Sequence, residues 1–111
     1  MNDTITLDEL KAGIDAGEVT VVETLGPMYY DAGHIPGAVN IPHTEVRERA
    51  DGLLPDRDAA IVTYCSNEAC RNSAVAQAQL RSLGYANVRK FPGGKAEWEA
   101  AGLPLETSVP A

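Results

Sequence analysis

Apolar and polar positions change period several times along the chain, and the changes divide it into elements. Leu7, Leu10 and Ile14 recur at spacings of three and four, one face of a short helix. Thr6-Leu7-Asp8-Glu9 in front of them fits a capping box, with Thr6 as N-cap and Glu9 reaching back to it. Gly17 supplies a stop. Val19-Thr20-Val21-Val22 is β-branched throughout and predicts a buried strand. Pro27 opens a helical turn through Met28, Tyr29 and Tyr30 that should end near Gly33. Residues 33–38 predict a turn, Val39-Asn40-Ile41 a short strand closed by Pro42, and 44–49 a helix ended by Asp51-Gly52. Ala59-Ala60-Ile61-Val62-Thr63-Tyr64 is a second apolar strand that runs directly into Cys65. Beyond a polar loop, 73–83 predict a helix capped by Gly84, 87–91 a strand, Pro92-Gly93-Gly94 a turn, and 95–101 a last helix ending at Gly102. Residues 103–111 read as a tail.

Strands that alternate with helices mean βα units, hence an α/β fold with a mostly parallel sheet covered on both faces. With 111 residues there is room for one core, so 1–111 is read as a single domain with its core over about 4–106. Composition agrees, since 44% hydrophobic and 23% charged residues are ordinary for a globular chain and exclude a disordered one. The net charge of −7, from 9 basic and 16 acidic residues, argues against a nucleic-acid partner. No stretch approaches the roughly 20 apolar residues of a membrane span, so no membrane partner is expected. Met1-Asn2-Asp3-Thr4 has no basic segment leading into an apolar run, so no secretory leader is expected either. Two cysteines in such a chain point to free thiols in a reducing, cytoplasmic setting. Two His and two Cys without paired spacing predict no metal, and nothing calls for a cofactor.

The candidate chemistry lies at Cys65. Ligands of parallel sheets bind beyond the carboxyl ends of the strands, where Cys65 is placed. Ser66-Asn67-Glu68-Ala69-Cys70-Arg71-Asn72 then leads to a helix start. Small and polar residues there let backbone N–H groups turn inward as an anion nest. The helix N-terminus adds about half a positive charge, and Arg71 can add a full one. Each favours a thiolate on Cys65, and the same cradle suits the outer sulfur of a persulfide. A thiolate is already a nucleophile and needs no fixed base. The competing use is a small buried hydrophobe at a strand end. Cys70 is a candidate resolving thiol that attacks a persulfide or sulfenate on Cys65, or else it packs under the helix start. His34 fits a hydrogen-bonded structural role, His43 a surface one, and Trp98 burial against the sheet. Gly93 and Gly94 suit positive φ or close backbone approach near the loop.

Five segments together resemble the rhodanese-like family. They are Val21-Val22-Glu23; Gly33-His34-Ile35-Pro36-Gly37-Ala38-Val39-Asn40-Ile41-Pro42; Val62-Thr63-Tyr64-Cys65; Gly84-Tyr85-Ala86-Asn87-Val88; and Gly93-Gly94 followed by Trp98 and Ala101-Gly102-Leu103-Pro104. The resemblance implies a five-stranded parallel sheet flanked by helices, with the active loop after the fourth strand. It implies that Cys65 cycles between thiolate and persulfide. Sulfane sulfur would come from thiosulfate, polysulfide or a persulfide and go to cyanide or a thiol, including one on a protein.

Three features depart from the pattern. Glu23-Thr24-Leu25 replaces the Asp-x-Arg that many members carry, so an Arg that often supports the active loop is missing at Leu25. Ser73 stands eight residues after Cys65, which makes the loop longer than common sulfurtransferase loops. Glu68 offsets Arg71, and a carboxylate there would repel a dianionic donor, so weak thiosulfate activity is expected. The spacing Cys65-x5-Arg71 also resembles the phosphate loop of cysteine phosphatases and related arsenate reductases, where a thiolate under an Arg fork holds an oxyanion. Tyr64 in place of the usual His, together with Glu68, counts against that use. A binding or redox-sensing module without catalysis is the third alternative.

Overall fold

A computed structural model describes residues 3–107. Its elements, in chain order, are α1 (Leu7–Asp15), β1 (Thr20–Glu23), α2 (Pro27–Ala32), β2 (Val39–Asn40), α3 (Val46–Leu53), β3 (Ile61–Tyr64), α4 (Asn72–Ser82), β4 (Val88–Phe91) and α5 (Gly94–Ala100). The four strands are parallel and ordered β2-β1-β3-β4. Val22 lies between Val39 and Thr63, and Glu23 between Asn40 and Tyr64.

The expected fifth strand is reduced to one parallel bridge between Thr4 and Lys90 at the free edge of β4. Ile5 N–H donates to the Lys90 carbonyl at 3.0 Å, and Lys90 N–H to that of Asp3 at 2.9 Å. Pairing stops there because Thr6 is already committed to α1. Glu9 N–H donates to Thr6 Oγ1 (3.1 Å) and Thr6 N–H to Glu9 Oε1 (3.0 Å), closing the capping box. The loop carrying Cys65 therefore follows the third continuous strand.

Side chains of successive strand residues point to opposite faces. Val22 and Ile61 enter a core with Val46, Ala50, Ala76 and Leu80 of α3 and α4. Val21 and Val62 enter the other, with Leu10 of α1 and Trp98 of α5. One sheet thus separates two apolar layers, each closed by its own helices.

Two further expectations change. Helix α3 does not end at Asp51-Gly52 but runs on through Leu53, because Val46, Ala50 and Leu54 fall on one face and all sink into the core. That burial outweighs the modest helix cost of Gly52, beside which nothing packs. Residues 103–107 are not a loose tail either. Leu103 and Leu105 pack on the second core, Trp98 Nε1–H donates to the Pro104 carbonyl at 2.8 Å, and His34 and Glu106 form an antiparallel bridge. The rest of the expected tail, 108–111, lies outside the described residues, as do Met1 and Asn2. Among the described residues no helix is long and apolar enough to cross a membrane.

Candidate active site

The chain leaves β1 toward β2 on one side of the sheet and returns to β3 on the other. The carboxyl ends of β1 and β3 therefore flank a topological switch point, where parallel sheets open a crevice. Thr24 continues the pairing past the strands, with its N–H at 3.0 Å and its Oγ1 at 2.9 Å from the Tyr64 carbonyl. The next residue is Cys65.

Cys65 is 1% exposed. Its Sγ lies 3.4 Å from the Cys70 carbonyl, 3.9 Å from the Asn67 carbonyl and 3.9 Å from Ser73 Oγ. The loop turns back because Asn67 caps it twice, accepting from Ala69 N–H on its side chain (2.9 Å) and from Cys70 N–H on its carbonyl (3.1 Å). It then enters α4, where buried Ser73 accepts from Thr63 Oγ1 through its carbonyl (3.0 Å).

This geometry corrects the expected electrostatics of Cys65. Burial, then the neighbouring Cys70 thiol, pushes the Cys65 pKa up, and the Ser73 backbone N–H only partly opposes them. The two carbonyls beside the sulfur also suit an S–H donor. At Cys70 burial raises the pKa as well. The Cys65 thiol and the backbone N–H groups of Asn72 and Ser66 outweigh it, so the Cys70 pKa falls below the ordinary thiol value. The inward-turned amides exist, but they are divided: that of Ser73 acts on Cys65, and those of Asn72 and Ser66 act on Cys70.

The remaining loop residues divide. Ser66 is partly buried beside Cys70. Asn67, Glu68 and Ala69 line one side of a cleft of about 580 Å³, with Gly93, Ala96 and Glu97 opposite. Arg71 is exposed and lines a different cleft with Ala74, Val75, Ala78 and Lys90. The positive charge expected beside Cys65 is thus directed elsewhere.

The amino end of α5 closes the site from below. Lys95 N–H donates to the Cys65 carbonyl (3.0 Å) and Ala96 N–H to the Ser66 carbonyl (2.9 Å). Gly94 has φ +57°, and a Cβ there would lie 2.2 Å from the Cys65 carbonyl oxygen. The expectation of positive φ and close approach thus holds at Gly94.

A buried polar cluster beside the loop was not legible beforehand. Glu23 Oε1 accepts from Tyr64 OH at 2.8 Å and pairs with Lys95 Nζ at 3.0 Å. The Tyr64 hydroxyl also accepts from Ile35 N–H at 3.0 Å. Burial pushes the Glu23 carboxyl above its ordinary value, while Tyr64 and Lys95 pull it back. Burial and the Glu23 charge push the Tyr64 phenol upward. The available signal was a carboxylate closing an otherwise apolar buried strand, which demands a partner. His34 is stacked on Tyr30 at 3.8 Å, with Nδ1 2.8 Å from the Tyr30 carbonyl and Nε2 3.6 Å from Glu106 Oε1, contacts that fit a structural role. Among the described residues no His, Cys, Asp and Glu side chains group as metal ligands.

Comparison with known proteins gives a consistent picture. The sequence matches the family described as rhodanese-like domain over residues 6–101. It is 42% identical over 108 residues to an HTH-type transcriptional regulator of Mycobacterium tuberculosis, covering 97% of this chain and 46% of that protein. It is 38% identical over 69 residues to a thiosulfate sulfurtransferase of Escherichia coli, covering 62% and 64%. A sulfurtransferase of Allochromatium vinosum is 33% identical over 91 residues, covering 82% and 81%. The chain thus spans about half the length of the regulator and just under two thirds of the E. coli protein. A Bacillus halodurans crystal structure matches with a TM-score of 0.87 at 27% identity, covering 95% of this chain and 77% of that one. A human single-domain sulfurtransferase matches at 0.79 and 28%, covering 90% and 97%.

Proposed function

The chain belongs to the rhodanese-like domain family, and on that premise we propose that it is a sulfurtransferase whose Cys65 carries sulfane sulfur as a persulfide. The observation that carries this reading is the position of Cys65 at the β1/β3 switch point, in a loop that closes on the start of α4. Relatives named sulfurtransferases support the reaction class.

The chemistry balances without a cofactor. The Cys65 thiolate attacks the outer sulfur of a donor; the donor's S–S bond breaks, and sulfite (from thiosulfate), a thiolate (from an organic persulfide) or a shortened polysulfide anion leaves. An acceptor thiolate, free or on a protein, then attacks the outer sulfur of the Cys65 persulfide and releases the Cys65 thiolate. Cyanide can accept in the same way. Because the resting Cys65 is a buried thiol, its proton must leave first. Cys70, whose pKa its neighbours lower, is the adjacent group that can take it.

Charge decides among donors. Glu68 and Glu97 line the cleft beside the loop, Lys95 is paired with Glu23, and Arg71 faces another cleft. A dianion such as thiosulfate meets no unengaged cation among these residues, so an organic persulfide, with a single charge on its sulfur, is the better donor. The same position of Arg71 leaves phosphate or arsenate chemistry on the Cys65-x5-Arg71 spacing without its cation. Intact-mass measurement after polysulfide treatment tests the proposal: a gain of one sulfur atom, absent in Cys65→Ser, is expected. No adduct with any donor would refute it.

One observation favours a second reading, a sulfur- or redox-sensing module: the resemblance over almost the whole chain to part of a transcriptional regulator. In that use Cys70 is the resolving thiol. Its thiolate attacks the Cys65 sulfur of the persulfide, forming a Cys65–Cys70 disulfide and releasing hydrosulfide. Both cysteines are free thiols in the structure, so this disulfide would form only after sulfur loading or oxidation. Wild type that loses two hydrogens after polysulfide, against a stable persulfide in Cys70→Ser, would select this reading.

A further inference from the structure

Lys95 bonds to three segments at once. Its backbone N–H donates to the Cys65 carbonyl at 3.0 Å, its Nζ donates to the Tyr29 carbonyl at 2.8 Å, and Nζ pairs with Glu23 Oε1 at 3.0 Å. The Glu23 side chain is 0% and the Lys95 side chain 13% exposed, so the pair lies inside the protein, where losing one partner strands a charge. Glu23 Oε1 also holds the hydroxyl of Tyr64, the residue directly before Cys65, while Oε2 is buried without a hydrogen-bond partner. An apolar pair of similar volume would hold α5 to the sheet at least as firmly. What the charged pair adds is direction, because it fixes where the amino end of α5 sits relative to β1. Both hydrogen bonds from α5 to the loop start at that end, from Lys95 N–H to the Cys65 carbonyl and from Ala96 N–H to that of Ser66. Leu25, two residues past the end of β1, brings no charge to the site.

We infer that the buried Glu23–Lys95 pair positions the Cys65 loop, with the supporting cation supplied from α5 instead of from the end of β1. Glu23 and Lys95 are positioning residues, and the inference rests on Cys65 being the sulfur carrier. Lys95→Met frees the start of α5 and lets the loop amides drift from where an incoming sulfur anion needs them. Lys95→Arg keeps the charge and the reach.

The test combines amide hydrogen exchange with the rate of Cys65 persulfide loading by polysulfide. In Lys95→Met, exchange should accelerate at Lys95, Ala96 and residues 66–70 while the amides of β4 keep their protection. Loading should slow about tenfold at saturating polysulfide, with the half-saturating concentration within about twofold, and Lys95→Arg should recover most of the rate. If Lys95→Met does not fold, the double variant Glu23→Gln with Lys95→Met, which removes the stranded charge, is read in its place with the same expectation. A folded variant with wild-type loading and loop exchange would overturn the inference. So would exchange that accelerates equally in every element, the mark of a merely structural pair. If wild type takes up no sulfur, the sulfur-carrier reading fails, and the exchange arm still decides whether the pair positions the loop.

Discussion

Replacing Gly94 by alanine puts one methyl group against the backbone of the candidate nucleophile. Gly94 has φ +57°, and an L side chain in that left-handed region costs about 1 kcal/mol. The added Cβ would also lie 2.2 Å from the Cys65 carbonyl oxygen, 2.9 Å from its carbon and 3.0 Å from the Ser66 carbonyl carbon. These are backbone atoms and cannot rotate aside, so the first turn of α5 must retreat. That withdraws Lys95 N–H from the Cys65 carbonyl and Ala96 N–H from the Ser66 carbonyl. Each lost hydrogen bond costs about 1 kcal/mol, giving a total near 3 kcal/mol, a large share of the 5–15 kcal/mol available to a domain. Gly102→Ala is the control, since φ there is +78° but nothing lies within 4 Å of the added Cβ, so only the conformational cost of about 1 kcal/mol remains. Urea unfolding followed by circular dichroism should place Gly94→Ala about 2 kcal/mol below Gly102→Ala. Persulfide loading, measured in buffer where both remain folded, should be lost or strongly slowed only in Gly94→Ala. Equal stabilities of the two variants with wild-type loading in both would refute the close contact between α5 and Cys65.

Differential alkylation by iodoacetamide across pH should label Cys70 first near neutrality and Cys65 only at higher pH, following the opposite directions of their shifts; faster labelling of Cys65 at neutral pH would contradict the site electrostatics. Arg71→Ala should change persulfide loading by less than about threefold, because its side chain lines the cleft with Lys90. A collapse of loading would place Arg71 at the sulfur after all. The Glu23 pKa is raised by burial above its ordinary 4.5, so the protonated form favours the fold below that pH and this contribution is lost as pH rises through the folded value. The stability of wild type relative to Glu23→Gln should therefore fall between acid and neutral pH in urea titrations, and a rise would show that the attraction to Lys95 dominates instead. Tyr85→Phe removes a buried hydroxyl that is 2.6 Å from the Leu54 carbonyl and 2.8 Å from Arg57 Nη1, and should cost about 1–3 kcal/mol by the same assay while leaving loading intact.

The sequence by itself determined what depends on neighbours a few residues apart. The Thr6–Glu9 capping box, the β-branched run of β1, the strand running into Cys65 and the Gly93-Gly94 turn are local patterns, and each was legible because its physics is local. The tertiary structure decided everything that depends on where distant segments meet. Val46, Ala50 and Leu54 prolonged α3 past a glycine because the core rewarded their burial, and Trp98 turned an expected tail into a packed strap. The loop composition predicted a cradle for an anion, but only its closure decides that two carbonyls flank Cys65 while the amides of Ser66 and Asn72 reach Cys70. Arg71 is near Cys65 in sequence, yet the start of α4 directs it to the opposite cleft. Glu23 and Lys95, remote in sequence, become partners because the end of β1 and the start of α5 converge beneath the Cys65 loop. Spacing along a chain specifies which groups are available; their burial and mutual charge, and so the chemistry at Cys65, are set only once the sheet brings those ends together.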